Sequence, residues 1–233
     1  MAVFTAQAVR ANLRVRDGKR VFYLGQGDRL TPSALDWLKA ENIEVLSAHL
    51  AKPSAYTTLS GDTLEKKPEH MTHLQPTVLV EKTHPRIVFR GRMDSLQAEI
   101  LLCGSQARAQ GKPELAENLE ELLETARQII QCDVLEKPWQ ERPLCGMTPE
   151  QLREHSHFPQ KYYDQPHFMP DISDSPLLLR LNRLRTAVRE TEISACGAFP
   201  DRTDLIRVIN RMSSLVWIWM IRLKKEESRG TAH

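Results

Sequence analysis

Arg185, Arg189 and Glu192 stand at i, i+4 and i+7, a spacing that puts two guanidiniums and a carboxylate on one face of a helix. Leu177, Leu181, Leu184 and Val188 repeat at the same spacing, and each arginine directly follows a member of that apolar stripe. The charged line therefore runs beside the buried stripe rather than opposite it. Cations at the edge of a core are costly unless an anion meets them, and arginine meets carboxylate or phosphate through paired N–H donors. The chemistry on offer is neutralisation of a polyphosphate, including one that departs as a leaving group. The plainer alternative is a solvated face laced with ion pairs.

Other polar residues could join them. Asp94 sits beside the apolar face of an earlier helical segment, where an Asp94–Arg185 pair would hold two helices in register. Asn210 lies beside the stripe of the last helical segment and needs a partner there, whether backbone, side chain or ligand base. Lys66, Lys67, Thr72 and His73 fall in a stretch without periodicity, either a solvated linker or a loop folded over a phosphate chain. His70, His73 and His84 form one group, and His155 with His157 another. With no HExxH pattern and no cysteine partners, metal ligation has little support. Phe168, with Tyr162 and Tyr163, belongs to an aromatic-dense loop that packs on a bundle or walls a large planar cofactor.

Composition narrows the classes. Charged residues make up 27% of the 233-residue chain and the net charge is only +2, which argues against a nucleic-acid partner. Cys103, Cys132, Cys145 and Cys196 are mutually distant and form no CxxC, the pattern of free thiols in a reducing compartment. The longest apolar stretch, Leu215 to Ile221, is too short for a membrane span, and no signal peptide is visible. A soluble, cytoplasmic protein is expected.

The elements that must position these residues are mainly helical. Phe89, Met93, Leu96, Ile100, Cys103 and Ala107 mark one long amphipathic helix; Leu115, Leu119, Leu122, Ala126 and Ile129 mark a second. Thr148 to Gln151 is a capping box opening a short helix. The arginine-bearing helix follows, then a last one on Leu205, Ile209, Met212, Val216 and Met220, with Asn210, Ser213 and Trp217 on the adjacent strip. The expected fold is mainly α, a four- to five-helix bundle over residues 85–225. A small amino-terminal α+β unit precedes it over 1–50, with an Asp17-Gly18 hairpin turn and a helix starting at Thr31-Pro32. Residues 51–84 read as a loop region, a candidate nucleotide-covering loop, and 226–233 as a frayed tail.

The stretch Arg185-Thr186-Ala187-Val188-Arg189-Glu190-Thr191-Glu192 resembles the Arg-Thr-x-x-Arg-Arg-x-Glu motif of PduO-type ATP:cob(I)alamin adenosyltransferases. Ile209-Asn210-Arg211-Met212-Ser213 is similar to that family's Leu-Asn-Arg-Leu-Ser motif, and Met93-Asp94-Ser95-Leu96-Gln97-Ala98 to its Val-Asp-Glu-Leu-Asn-Ala segment. Lys66 to Leu74, His84-Pro85-Arg86 and Arg29 to Ala34 resemble the ethanolamine-utilisation, EutT-type branch. The His-x11-Cys-Cys-x2-Cys motif of some members of that branch does not stand between His49 and Lys66.

The resemblance implies transfer of the 5′-deoxyadenosyl group of ATP to cob(I)alamin with release of triphosphate, serving ethanolamine ammonia-lyase. It implies Arg185 and Asp94 as a pair, Arg189 on the triphosphate, Glu192 near magnesium, Asn210 on the nucleotide and Phe168 at the cobalamin. Lys66, Lys67, Thr72 and His73 stand in for the nucleotide loop. A homo-oligomer, trimer or dimer, is implied, with a corrinoid reductase or microcompartment proteins as further partners and a microcompartment as a location. The alternative class is a non-catalytic helical bundle that binds corrinoid or nucleotide as a carrier or scaffold.

Overall fold

The computed structural model describes residues 3–16, 19–25, 27–48 and 55–230, so the Asp17-Gly18 turn lies outside the described residues. The chain divides into two compact units, Met1–Lys67 and Pro68–His233.

The first unit contains β1 (Val3–Phe4), α1 (Ala6–Ala11), β2 (Arg14–Arg16), β3 (Lys19–Gly25), β4 (Arg29–Leu30), α2 (Pro32–Ala40), β5 (Glu44–Ala48), β6 (Tyr56–Thr58) and β7 (Thr63–Leu64). β3 pairs antiparallel with β2 and parallel with β5. Thr31 caps α2 by accepting from the Ala34 N–H, and Pro32 opens it, as the sequence predicts. α1 is not foreseen, because six residues are too few for a helical period to register. Val9, Phe22, Ala34, Leu38 and Ile43 form this unit's small core.

The second unit begins with the antiparallel pair β8 (Met71–His73) and β9 (Val78–Glu81). The strands within 51–84 depart from the expected loop; at two to four residues each, they are too short to show alternation. Then come α3 (Pro85–Ala109), α4 (Pro113–Val134), α5 (Pro149–His157), α6 (Pro159–Tyr163), α7 (Pro176–Ala198) and α8 (Thr203–Gly230). α3 packs on α4 and α7, α7 also packs on α8, and α5 lies on α8. α3 and α7 run antiparallel: Phe89 meets Phe199 edge-on at 4.8 Å, while the Cys103 thiol donates to the Arg180 carbonyl at 3.5 Å.

The apolar stripes read from sequence on α3, α7 and α8 are all buried in one continuous core. Each large side chain removed from water there contributes about 1.5–3 kcal/mol, enough to fix the rotation of every helix about its axis. α8 continues past Lys224 to Gly230, where a frayed tail is expected from sequence. Lys224 is paired with Asp174 and Glu226 with Lys112, so side chains from other elements hold the last turns.

One charge network closes the end of the bundle where α3 starts. Asp133, only 1% exposed, receives Arg86 Nε at 2.9 Å and Arg90 Nε at 2.8 Å, and Arg86 Nη2 donates to the Asp133 carbonyl. Removing one partner of such a buried set leaves uncompensated charge. Asp133→Ala is expected to lower unfolding stability by about 3–5 kcal/mol, measured from urea transitions; a loss below ~1 kcal/mol would mean the network is as weak as an exposed ion pair.

Candidate functional site

α7 starts cleanly: Ser175 accepts from the Leu178 N–H and Pro176 fills the first turn. Its buried stripe then decides where the arginines point. Arg185 is half-buried. Its Nη2 donates to Asn182 Oδ1 at 3.2 Å, its guanidinium carbon lies 5.5 Å from the Trp217 ring centroid, and its Nε is buried without a partner. Burial, and then the neighbouring charge of Arg189, push the Arg185 pKa down. Arg189 is exposed one turn further on. Neither arginine has an ion-pair partner among the described residues.

These two side chains and Asn182 form one wall of a cleft of about 640 Å³. α8 supplies the facing wall with Asn210, Ser213, Ser214 and Trp217, and the end of α5 adds Ser156 and His157. The segment His167–Pro170 closes the remaining side. Phe168 stacks on Trp217 at 5.1 Å and 24°, and His167 on the same indole at 5.9 Å and 9°. His167 Nε2 also lies 3.2 Å from the His157 carbonyl. One end of the cleft is thus aromatic, suited to a flat ring; the other is cationic with amides and hydroxyls, suited to phosphates and a base.

A second cleft of about 340 Å³ lies between the start of α4 and the far half of α8. Its cations are already matched, Arg222 with Glu114 at 3.4 Å and Lys112 with Glu226. The first cleft, by contrast, holds two arginines without an ion-pair partner among the described residues.

Of the residues read as functional from sequence, Arg185, Arg189, Asn210 and Phe168 come together in this cleft. Glu192 joins them through Asn210, whose Nδ2 donates to Glu192 Oε1 at 2.9 Å. Asp94 does not join them. The α3 stripe faces α4 and α7, which turns Asp94 outward, and it forms no ion pair with Arg185 within one chain. The Asp94–Arg185 pair read from sequence is thus not formed within one chain. Thr72 and His73 lie on β8, opposite Val80 and Leu79 of β9, and do not line the cleft. Lys66 and Lys67 are exposed in the first unit. Trp217, Asn182, His157 and His167 also line the cleft, with no role there expected from the sequence. Trp217 and Asn182 carried a signal, one on the strip of Asn210 and the other three residues before Arg185. His167 carried none, since a loop residue has no periodicity to place it. Among the described residues no three His, Cys, Asp or Glu side chains gather as a metal site.

The family model described as cobalamin adenosyltransferase matches residues 63–223, well over half of the chain. The chain belongs to the cobalamin adenosyltransferase family. It is 29% identical to the corrinoid adenosyltransferase EutT of Escherichia coli K12 across 91% of this chain and 89% of that protein. The EutT enzyme of Salmonella typhimurium LT2 is 28% identical over the same shares. Among solved structures, a phenylalanine-to-alanine variant of the PduO-type ATP:corrinoid adenosyltransferase from Lactobacillus reuteri, complexed with cobalamin and ATP, matches with a TM-score of 0.54 and 18% identity. It covers 69% of this chain and 91% of that one, a likeness of fold.

Two unmatched guanidiniums predict anion binding. Inorganic tripolyphosphate should raise the melting temperature of this family member by several degrees at low salt, through binding to the folded state alone. Arg189→Ala should abolish the shift. An equal shift in both proteins would place the anion elsewhere.

Proposed function

We propose that this adenosyltransferase moves the 5′-deoxyadenosyl group of ATP onto cob(I)alamin, releasing triphosphate and forming adenosylcobalamin for ethanolamine ammonia-lyase. The observation that carries the reading is the cleft in which unmatched Arg185 and Arg189 stand beside the Trp217–Phe168 stack. Cobalt(I) supplies the electron pair. The cobalt–carbon bond forms as the C5′–oxygen bond breaks, and triphosphate leaves with the bonding electrons. The protein needs no nucleophile of its own. Burial pushes the Cys103 and Cys145 thiols up to about 12, which keeps them protonated at neutral pH.

The protein's share is positioning and charge. Arg189 is assigned to the triphosphate, where bidentate donation strengthens as charge builds on the leaving oxygens. Arg185 is assigned to fixing the geometry of the site through a pair with Asp94, and Asn210 to the nucleotide. Phe168 is assigned to the corrinoid. Magnesium fits Glu192, because the ion is usually held by one or two carboxylates plus substrate phosphates. Asn210 already fixes that carboxylate at the cleft. Bound there, magnesium would neutralise phosphate charge. Thr72 and His73, in the same unit as the cleft, are assigned to covering the nucleotide.

The pairing of Arg185 with Asp94 is proposed between copies, since both are present without an ion-pair partner in one chain. This makes the working form a homo-oligomer. No helix among the described residues is long and apolar enough to cross a membrane. A cytoplasmic setting, within a microcompartment and close to a corrinoid reductase, goes with the same reading.

The assay mixes protein, ATP, magnesium and chemically reduced cobalamin and follows the adenosylcobalamin spectrum. Wild type should turn over and Arg189→Ala should lose at least 100-fold in kcat/KM, about 2.7 kcal/mol. Cobalamin binding without ATP consumption would instead favour a carrier. For the oligomer, Asp94→Ala and Arg185→Ala should each be nearly inactive, yet mixing them after mild denaturation should restore activity at wild-type–wild-type interfaces. Failure to complement, with both variants folded, would return the pair to separate roles.

A further inference from the structure

Among the described residues, Trp217 is touched from both ends of the cleft. Its indole carries the Arg185 guanidinium at 5.5 Å, and it carries His167 and Phe168 in near-parallel stacks. Arg185 has only one hydrogen-bond partner besides, Asn182, and its Nε has none, so the indole face limits how the guanidinium plane can turn. The other contact is to the strap that joins α6 to α7. The strap is tied to α8 at its two ends. Lys225 Nζ donates to the Tyr163 carbonyl at 2.6 Å, and Lys224 pairs with Asp174, which in turn accepts from the Asp171 N–H at 2.7 Å. Between those ties its side chains hold it: Phe168 and His167 on Trp217, Lys224 over the Phe168 ring at 5.8 Å, and His167 at the His157 carbonyl. Met169 and Ile172, at 88% and 94% exposed, give the strap no core anchor of their own.

We propose that Trp217 is a positioning residue that sets the Arg185 guanidinium and the His167–Phe168 strap in register, so that one indole aligns the phosphate end of the cleft with its aromatic end. This rests on the adenosyltransferase reading for its kinetic consequence but not for its structural one. A flat, rigid ring can serve two partners because it loses little conformational freedom in doing so, whereas an aliphatic side chain offers no face to either.

The experiment compares wild type with Trp217→Phe, Trp217→Leu and Trp217→Gln. Hydrogen–deuterium exchange of residues 165–170 should rise several-fold in the Leu and Gln variants and recover in the Phe variant, with the melting curve of each recorded. In the cobalamin assay, Trp217→Leu should lower kcat by roughly 10- to 100-fold and raise the KM for ATP, with Trp217→Phe recovering most of the loss. Unchanged exchange in both Leu and Gln variants, or a Leu variant with wild-type kcat and KM, overturns the proposal. An inactive wild type overturns the adenosyltransferase reading instead, and the exchange comparison still decides the role of Trp217. The Gln variant keeps the test open if the Leu variant does not fold.

Discussion

Arg185 and Arg189 are four residues apart on α7, so their guanidiniums share one side of the helix and repel each other wherever solvent does not screen them. On an exposed helix such a like-charge pair costs about 0.2–0.5 kcal/mol, and more when one member is half-buried, as Arg185 is. The helix tolerates this because its other face is fixed. Leu177, Leu181, Leu184 and Val188 are fully buried, and at about 1.5–3 kcal/mol each they outweigh the repulsion several times over. The core thus imposes a charge arrangement that the site alone would not adopt.

The rest of the bundle follows from that constraint. α8 must present hydroxyls and amides, not further cations, on the strip facing the arginines, and Asn210, Ser213 and Ser214 do so. The Asn210–Glu192 hydrogen bond links the two helices, and among the described residues the Glu192 carboxylate forms no ion pair with either arginine. At the start of α3, Arg86 and Arg90 instead meet the buried carboxylate of Asp133. Two pairs of arginines in one bundle have opposite roles, and the difference is whether a buried carboxylate meets them.

A chemistry in which the metal of the substrate is the nucleophile suits such a protein. Nothing in the cleft has to be activated; the side chains need only be held still, with water kept from the aromatic end. Rigid elements do this better than loops. The single loop contribution, the strap carrying His167 and Phe168, is tied down by Lys224, Lys225 and Trp217, all on α8.

Period and residue type, readable along the chain, determined the helical stripes, the caps at Thr31 and Thr148, and the placing of Arg185, Arg189 and Asn210 beside buried faces. Those features are local, since a helix repeats every few residues and its core face is written in one segment. The short strands of residues 56–81 and the six-residue α1 were not legible, because elements of that length hold too few residues for any period. The cleft itself was decided only by tertiary structure. Asp94 looks equivalent to Arg185 in sequence, yet packing of α3 against both α4 and α7 turns it to solvent. Trp217, His157 and His167 lie on two helices and a strap, and only the packing of α5, α7 and α8 brings them within reach of one another. Which stripe is buried is a property of a segment; what meets at its edge is a property of how segments cross.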